Sequence, residues 1–346
     1  MLHRRSFLAS FAGTAALAAL PARVRAAEVV LKVHHFLPAT STTQKFIALW
    51  AERISRQSGG RIAFTLHPSM ELGGKPPQLY DQVRDGVVDV IWTLPGYTAG
   101  RFPRAEVVEL PFVAAASAEA NSQAVHAFAM AHLREEFGDV HPLMVHAHEA
   151  GVFHLRKRPI KRLEDLKGAK IRAPSRVVND VLAALGATAV GMPVPQVPEA
   201  LSRGVIDGAL LPFEVTGSLR VPELTDSNTE IAGPRGLYTA VFLFAMNRQR
   251  YEALPQDLRA IIDANSGADL ARQVGRMWDE AEAQGRAAAV KAGHAFHRIE
   301  GEELARWQSA AEPVTTRWLS AMADKGIDGK ALLDGIRAEM ARFAGG

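Results

Sequence analysis

Residues 166–215 alternate short apolar runs with amphipathic stretches, and this pattern organises the rest of the chain. Three strand candidates each end at a proline or a proline-rich turn: 170–173, 189–190 and 205–211. Between the first two, apolar side chains recur at helical spacing: Val178, Val181, Leu182 and Leu185. Gly186 follows this helix where a C-terminal cap belongs, and residues 199–203 form a second short helix. Strand–helix–strand alternation predicts a parallel sheet with crossover helices, and therefore the α/β class.

The segments on either side continue this alternation. Upstream, the pattern predicts strands at 29–36, 61–67 and 87–92 and helices at 44–55 and 75–83. The first of these helices has a predicted apolar face of Phe46, Ile47, Leu49, Trp50 and Ile54. Apolar runs at 146–155 and 238–247 predict two further strands, and helices follow at 255–264, 269–291, 302–323 and 330–343.

Arg172 is the residue in the central segment with the clearest chemical meaning. It lies near the carboxyl end of a strand predicted to be central in its sheet, and ligands of open α/β sheets collect outside the carboxyl ends of strands. A guanidinium is permanently charged, and its planar fork matches the two oxygens of a carboxylate. Position alone leaves two interpretations open: a ligand-binding arginine, or a surface arginine paired with a nearby acid.

Several motifs resemble those of the extracytoplasmic solute receptors of tripartite ATP-independent periplasmic (TRAP) transporters, the DctP family. The segments that carry the resemblance are 35–38, 68–74, 83–89, 168–174 and 204–209. The similarity runs over nearly the whole chain after residue 26. It implies a two-lobed periplasmic binding protein fold, in which each lobe is a mixed β-sheet flanked by helices and strand crossings and a long helix link the lobes.

By this resemblance, residues 27–149 and 236–268 form lobe I, and residues 150–235 and 269–346 form lobe II. The long helix 269–291 is shared between them. Two strand crossings make a clamp with a hinge, and such lobes close around their ligand. The resemblance also implies the partners: a small carboxylate ligand and the integral-membrane subunits of a TRAP permease. We expect a monomer, with a dimer as the alternative.

The family uses an arginine in the segment that matches 168–174 to hold the substrate carboxylate, and the resemblance assigns this role to Arg172. Loops after the first-lobe strands line the cleft in the family. The other predicted substrate-binding residues are Phe36, Met70, Trp92, Tyr97, Phe153, Pro174, Met192, Leu211, Phe213 and Glu214. For Phe36 and Trp92, packing in the core is the alternative interpretation.

Two departures from the family pattern bear on the ligand. Many members have an asparagine where this chain has Leu211, and many have a second arginine where it has Phe153. Both changes replace polar groups with apolar ones, and an unpaired polar group costs on the order of 1–3 kcal/mol. The predicted ligand is therefore a monocarboxylate with an apolar or aromatic body, or a keto acid. C4-dicarboxylates and sugar acids are the alternative. No cofactor is predicted, although Glu214 is a weak candidate for contacting a bound cation.

The N-terminus carries the features of an export signal. Paired Arg4 and Arg5 precede a short apolar run, and small residues end at Ala26, where cleavage is predicted. The pair resembles a twin-arginine signal, with an ordinary secretory signal as the alternative. The chain has 40 Lys+Arg and 37 Asp+Glu; residues 1–26 hold four arginines and no acid, so cleavage leaves 36 against 37, a net charge of −1. We expect a periplasmic protein that does not bind nucleic acid.

Two other classes of function were weighed. An enzyme is not expected, because GxSxG, HExxH, GxGxxG and the phosphate-binding GxxxxGK[ST] are all missing from the sequence. A metal-binding receptor is the second alternative, because His146 and His148 lie on one strand face with Glu149 next to them. A third ligand with the spacing of a known motif is not present in the sequence.

Overall fold

The computed structural model describes residues 27–157 and 159–344. The predicted signal peptide, residues 1–26, lies outside the described residues. The strands are β1 (Val29–His35), β2 (Ile62–His67), β3 (Val90–Thr93), β4 (Val140–Ala147), β5 (Val152–Leu155), β6 (Lys170–Ala173), β7 (Thr188–Gly191), β8 (Gly208–Leu211), β9 (Ser227–Ile231), β10 (Val241–Asn247) and β11 (Ala295–Ile299). The helices are α1 (Thr42–Gln57), α2 (Leu79–Arg84), α3 (Ala118–His132), α4 (Arg176–Ala184), α5 (Val197–Ser202), α6 (Phe213–Thr216), α7 (Arg248–Glu252), α8 (Gln256–Ala264), α9 (Gly267–Lys291), α10 (Gly301–Ala323) and α11 (Gly329–Phe343).

The strands form two mixed sheets. The first has the order β2-β1-β3-β10-β4, and the second has the order β11-β9-β5-β8-β6-β7. In the first, β1 pairs in parallel with β2 and β3, whereas β10 runs antiparallel to β3 and β4. In the second, β6 pairs in parallel with β7 and β8. Helices flank both sheets, so the predicted two-lobed α/β fold is confirmed.

The chain passes between the two sheets in two short segments. One joins β4 to β5, and the other joins β9 to β10. They pack closely: a Cβ atom at Gly151 would lie 1.9 Å from Tyr238 Cε1, and one at Gly236 would lie 2.0 Å from Ala150 Cβ. Side chains at either glycine would therefore push the two segments apart.

Helix α9 contacts both halves of the molecule. It packs on α3 and β4 of the first half and on α6 of the second. Two of its acids accept backbone hydrogen bonds at the starts of these helices. Asp279 accepts from Ala118 and Glu119 at the start of α3, at 2.6 and 3.0 Å, and Glu282 accepts from Glu214 in α6 at 2.7 Å. The two acids lie one helical turn apart.

Several details differ from the sequence pattern. Leu49 was predicted on the buried face of α1 but is 45% exposed, whereas Phe46, Ile47, Trp50 and Ile54 are buried. The predicted strand 146–155 is divided into β4 and β5, which belong to different sheets. Helix α3 and strands β9 and β11 were not predicted, because their sequences lack a clear apolar period. In the described part of the chain, every helix is too short or too polar to span a bilayer.

Candidate functional site

A cavity with about 390 Å³ of empty space, its open mouth included, lies where the two sheets face each other. Its walls come from the first sheet, the second sheet, the crossings and α9. The lining residues are Phe36, Leu37, Trp92, Leu94, Tyr97, His148, Arg172, Pro174, Val194, Leu211, Pro212, Glu214, Val215, Tyr238, Ala240, Phe242 and Trp278. We call this the cleft cavity.

Arg172 is the one guanidinium among the described residues that line the cleft cavity, and it is only 2% exposed. Its Nε donates to the Met192 carbonyl at 3.0 Å, and its Nη1 donates to the Leu210 carbonyl at 3.2 Å. Its Nη2 is buried and has no hydrogen-bond partner within the described residues. The two carbonyls fix the side chain, and one edge of the guanidinium keeps a free donor. Burying a charge without a counter-ion is costly unless a partner arrives.

The polar groups around Arg172 are already engaged and neutral. The Tyr97 hydroxyl accepts a hydrogen bond from the Val194 amide at 2.9 Å, and the Tyr238 hydroxyl donates to the Leu210 carbonyl at 3.1 Å. Burial raises the pKa of Tyr97 and of Tyr238, although the nearby Arg172 charge opposes this in both. Neither phenol therefore ionises near neutral pH, and neither neutralises the guanidinium.

His148 lies in the same wall and is also uncharged. Burial lowers the pKa of His148 to about 4, with a smaller contribution from the positive charge of Arg172 and with the hydrogen bond to the Glu149 carbonyl opposing the shift. Its Nε2 accepts from the Ala240 amide at 3.1 Å, so the proton is on Nδ1, which donates to the Glu149 carbonyl. Arg172 is consequently the only positive charge that the described lining residues place in this cavity at neutral pH.

Aromatic rings form much of the first-sheet wall. Trp92 stacks on Phe242 with ring centroids 4.6 Å apart and planes 13° apart. Phe36 lies 4.9 Å from Trp92 and 5.4 Å from Tyr97, and Trp278 meets Phe242 edge to face at 5.1 Å. Such packed rings offer flat apolar surfaces at distances that favour a further ring.

Glu214 brings a second ionisable group to the cleft cavity. Burial raises the pKa of its carboxyl to about 7, and a hydrogen bond from Thr42 opposes the shift. Its Oε1 atom is buried and has no hydrogen-bond partner within the described residues. Thr42 begins α1 and Glu214 lies in α6, so this pair joins the two halves across the cavity.

Polar contacts between the two halves also close the mouth. Arg176, at the start of α4, pairs with Glu106 through Nε at 3.2 Å and through Nη2. Beside this pair, Glu109 is 2% exposed and faces Ser175. Burial raises the pKa of Glu109 to about 7, opposed by the Ser175 hydrogen bond. These contacts join the two halves of the molecule on one side of the cleft cavity.

A larger cavity of about 1010 Å³, its open part included, lies beside the crossings. We call it the crossing cavity. It is lined by Ala116, Glu149, Ala150, Gly151, Val152, Phe213, Glu230, Ile231, Gly233, Gly236, Asp279, Glu282, Ala283, Arg286 and Arg298. Arg286 pairs with Glu230 at 2.7 Å, and Asp279 and Glu282 hold helix starts. Burial raises the pKa of Glu149 to about 7. Burial also raises the pKa of Glu282 well above its usual range, and repulsion from Glu149 adds to that shift.

The metal-binding alternative does not fit the geometry. His146 Nε2 accepts from Trp92 Nε1 at 2.8 Å, and His148 Nε2 accepts from the Ala240 amide. Both lone pairs that a metal would need are therefore occupied, and burial lowers the pKa of His146 to about 3. Across residues 27–157 and 159–344, no group of three or more His, Cys, Asp or Glu side chains can hold a metal ion.

The structure brings most of the predicted substrate-binding residues together. Those that line the cleft cavity are Phe36, Trp92, Tyr97, Arg172, Pro174, Leu211 and Glu214. Four predicted residues do not line it. Phe153 packs against Trp307 in the core at 5.7 Å, and Phe213 faces His154 and lines the crossing cavity.

Met70 and Met192 are the other two residues that do not line the cleft cavity. Met70 lies in the loop after β2 with a left-handed φ of 59°, and its side chain packs on the core. Met192 contributes its carbonyl to Arg172 rather than its side chain to the wall. Phe153, which stands where many family members have a second arginine, also lies outside the cavity lining. Its apolar side chain therefore does not contribute to the apolar surface that a ligand would contact.

Several lining residues were not predicted. Five of them lie within two positions of predicted residues, so proximity along the chain could have found them: Leu37, Leu94, Val194, Pro212 and Val215. The remaining ones come from other segments: His148, Tyr238, Ala240, Phe242 and Trp278. Trp278 lies in the predicted helix 269–291, and an apolar residue in such a helix can equally face the core or a cavity.

Two mixed sheets that close over one buried, unneutralised arginine define a solute-binding protein of the two-lobed class. The family model DctP, described as bacterial extracellular solute-binding protein, family 7, matches residues 33–321. The chain belongs to this family, and the resemblance found in the sequence is confirmed.

Solved structures of other family members superimpose closely. A TRAP solute binding protein from Rhodoferax ferrireducens, in complex with copurified benzoate, is 45% identical with a TM-score of 0.88, covering 91% of this chain and 98% of that one. A marine metagenome TRAP protein specific for aromatic acid ligands, with co-crystallised 3-hydroxybenzoate, is 44% identical with a TM-score of 0.90, covering 92% and 99%. A TRAP protein from Bordetella bronchiseptica with bound (R)- and (S)-mandelate is 30% identical with a TM-score of 0.83, covering 90% and 99%.

Proposed function

We propose that this protein is a receptor for an aromatic monocarboxylate, which it binds in the cleft cavity without chemical change. The observation that carries the proposal is the buried Arg172 with its free Nη2 donor in a wall of aromatic rings. A ligand carboxylate would pair with this edge of the guanidinium, and its ring would lie among Phe36, Trp92 and Phe242.

The related structures support this ligand class. Benzoate, 3-hydroxybenzoate and mandelate, found in those three proteins, each combine one carboxylate with one aromatic ring. The walls of the cleft cavity are mostly apolar, and the described residues that line it include a single cation. A second carboxylate would meet no positive partner there, and a sugar acid would leave several hydroxyls unpaired at about 1–3 kcal/mol each. An aliphatic keto acid would satisfy Arg172 but would leave the ring surfaces uncovered.

Calorimetric titration of the purified protein tests the ligand class. Benzoate should bind at least about tenfold more tightly than succinate, galacturonate or pyruvate, because only benzoate matches both the charge and the walls. Mass spectrometry of ligand released from freshly purified protein should identify an aromatic acid. Tighter binding of succinate than of benzoate would contradict the proposal.

The site of action follows from the family. We infer that residues 1–26 direct export through the twin-arginine route, that the mature protein works in the periplasm, and that it delivers its ligand to a TRAP permease as a monomer. N-terminal sequencing of the periplasmic fraction should give a chain that begins near Ala27. A cytoplasmic protein that retains Arg4 and Arg5 would contradict this.

The division into lobes is proposed on the same basis. Residues 27–149 and 236–268 would move as lobe I, and residues 150–235 and 269–346 as lobe II, with α9 shared. The contacts of α9 with α3 and α6 support this sharing. Small-angle X-ray scattering should show a smaller radius of gyration with benzoate than without it, and an unchanged radius would contradict lobe closure.

A further inference from the structure

Three side chains that line the cleft cavity carry a buried polar atom without a hydrogen-bond partner in the described part of the chain. They are Arg172 Nη2, Trp278 Nε1 and Glu214 Oε1. The first two are donors, and the third is the only acceptor of this kind. A carboxylate satisfies Arg172 but offers nothing to Glu214, because a carboxylate has no hydrogen to donate.

The position of Glu214 is not explained by the fold. Its backbone amide is used, since it donates to Glu282 Oε2 at 2.7 Å, but this bond does not involve the side chain. Thr42 is the one side chain that stabilises the carboxyl against desolvation. An apolar residue in the same place would avoid the cost of burying Oε1, so the carboxyl is suited to a partner that arrives from outside.

We propose that the cleft cavity selects an aromatic carboxylate with a ring hydroxyl, and that Glu214 is the residue that recognises this hydroxyl. This rests on the proposed function, because Arg172 must hold the carboxylate of the same ligand. The hydroxyl donates to Glu214 Oε1, and its oxygen keeps lone pairs that can accept from a donor such as Trp278 Nε1.

The charges around Glu214 are compatible with this role. Arg172 lies in the same cavity but is reserved for the carboxylate, and Glu282 on α9 already accepts the Glu214 amide. Because burial raises the pKa of Glu214 to about 7, its charged and protonated forms coexist near neutral pH. A hydroxyl can bond to either form, as an acceptor or as a donor.

The test compares benzoate with 2-, 3- and 4-hydroxybenzoate by calorimetry on the native protein, Glu214→Met and Glu214→Gln. At least one hydroxybenzoate should bind native protein about tenfold more tightly than benzoate. In Glu214→Met the ratio of the hydroxybenzoate affinity to the benzoate affinity should fall below about threefold, and Glu214→Gln should retain part of the preference through its amide oxygen. Glu199→Met is the charge-matched control, because Glu199 is exposed on α5 and should change neither affinity.

The outcomes are distinguishable. A native protein that binds no hydroxybenzoate more tightly than benzoate overturns the role of Glu214 but leaves the proposed function intact. A preference for the hydroxybenzoate that survives in Glu214→Met also overturns the role of Glu214. If Glu214→Met no longer binds benzoate, the preference for the hydroxybenzoate over benzoate is measured in Glu214→Gln instead. A native-like preference there would support the role of Glu214, and the loss of any preference would overturn it. Affinity that depends on sodium or calcium and loses this dependence in Glu214→Met would make Glu214 a cation ligand instead. Failure of native protein to bind any of the four acids overturns the proposed function itself.

Discussion

The cleft cavity and the crossing cavity make opposite use of charge. The crossing cavity is larger, about 1010 Å³ against about 390 Å³, and it is lined by several acids and two arginines. Yet most of these charges have partners within the protein: Arg286 has Glu230, and Asp279 and Glu282 have backbone amides. The cleft cavity contains one arginine, and that arginine keeps an unsatisfied donor.

We infer from this difference that unmet hydrogen-bonding capacity, and not volume, distinguishes the proposed binding site. Charges in the crossing cavity hold two helix starts and two chain segments in place, so their role is architectural. Arg172 is held by two carbonyls that cannot neutralise it. Its burial therefore makes sense only when a negative ligand is counted as part of the structure.

Exchanging one arginine from each cavity for methionine, Arg172 in the cleft cavity and Arg286 in the crossing cavity, is the most direct test of this comparison. Arg172→Met should weaken benzoate binding by about 2–5 kcal/mol, the cost of truncating one partner of a buried charge pair. Arg286→Met, the matched control, should leave the affinity within about threefold, because it loses only a half-exposed pair with Glu230. Calorimetry measures both. Equal losses in the two variants would mean that the cavities are not functionally distinct.

Adding a side chain at Gly151 tests whether the residues around the crossing cavity serve the packing of the two segments that join the halves. Gly151 lines the crossing cavity, but its Cβ would overlap Tyr238, which lines the cleft cavity. Gly151→Ala should therefore lower the free energy of unfolding by about 1–3 kcal/mol through overpacking. Gly217→Ala, where nothing lies within 4 Å of the added atom, should be nearly neutral. Denaturant titration compares them, and a stable Gly151→Ala protein would show that the crossings can separate.

The ion pair at the mouth should have a smaller effect. Arg176 is partly exposed, so replacing it with glutamine should cost at most about 1 kcal/mol of binding free energy. Because Arg176 and Glu106 join opposite halves, the loss should appear as faster ligand dissociation rather than slower association. Stopped-flow fluorescence can separate the two rates. Arg203→Gln, which breaks an exposed pair within α5, is the control; a slower association rate for Arg176→Gln would contradict the interpretation.

The smallest expected effect is the pH dependence from Glu109. Burial raises the pKa of Glu109 to about 7. Between about pH 4.5 and 7 the carboxyl is therefore protonated in the folded state but ionised in the unfolded state. Native protein should lose stability from this group between about pH 4.5 and 7. The buried His146 and His148, with lowered pKa values, act in the opposite direction below about pH 6.5.

Replacing Glu109 with glutamine isolates its contribution. The thermal midpoint of Glu109→Gln relative to native protein should rise by about 2–4 °C between pH 5 and pH 8. Exposed Glu302→Gln should show no such trend. A constant difference across this pH range would mean that Glu109 does not titrate there.

The sequence was sufficient for the fold and for the charged centre of the site, because both depend on local pattern. Strand β6 and helix α9 follow directly from apolar periodicity, and Arg172 follows from its place at a strand end. The walls of the cavity could not be derived in the same way. Tyr238, Phe242 and Trp278 reach it from segments far from Arg172, and their apolar spacing equally predicts core packing.

Phe153 shows the opposite error. Its alignment with a family arginine suggested a place in the binding surface, but its ring is fully buried against Trp307. None of the described lining residues of the cleft cavity belongs to β5, and the sequence alone did not show that this strand lies away from the cavity.

The pair of carboxylates on α9 has a mechanical consequence. Because Asp279 and Glu282 anchor the two halves within one helical turn, that turn is the natural fulcrum of any opening motion. Trp278 adjoins this turn and lines the cleft cavity. An opening motion that pivots there would move Trp278 less than residues farther from the turn, so a ligand could leave without this part of the aromatic wall being rearranged.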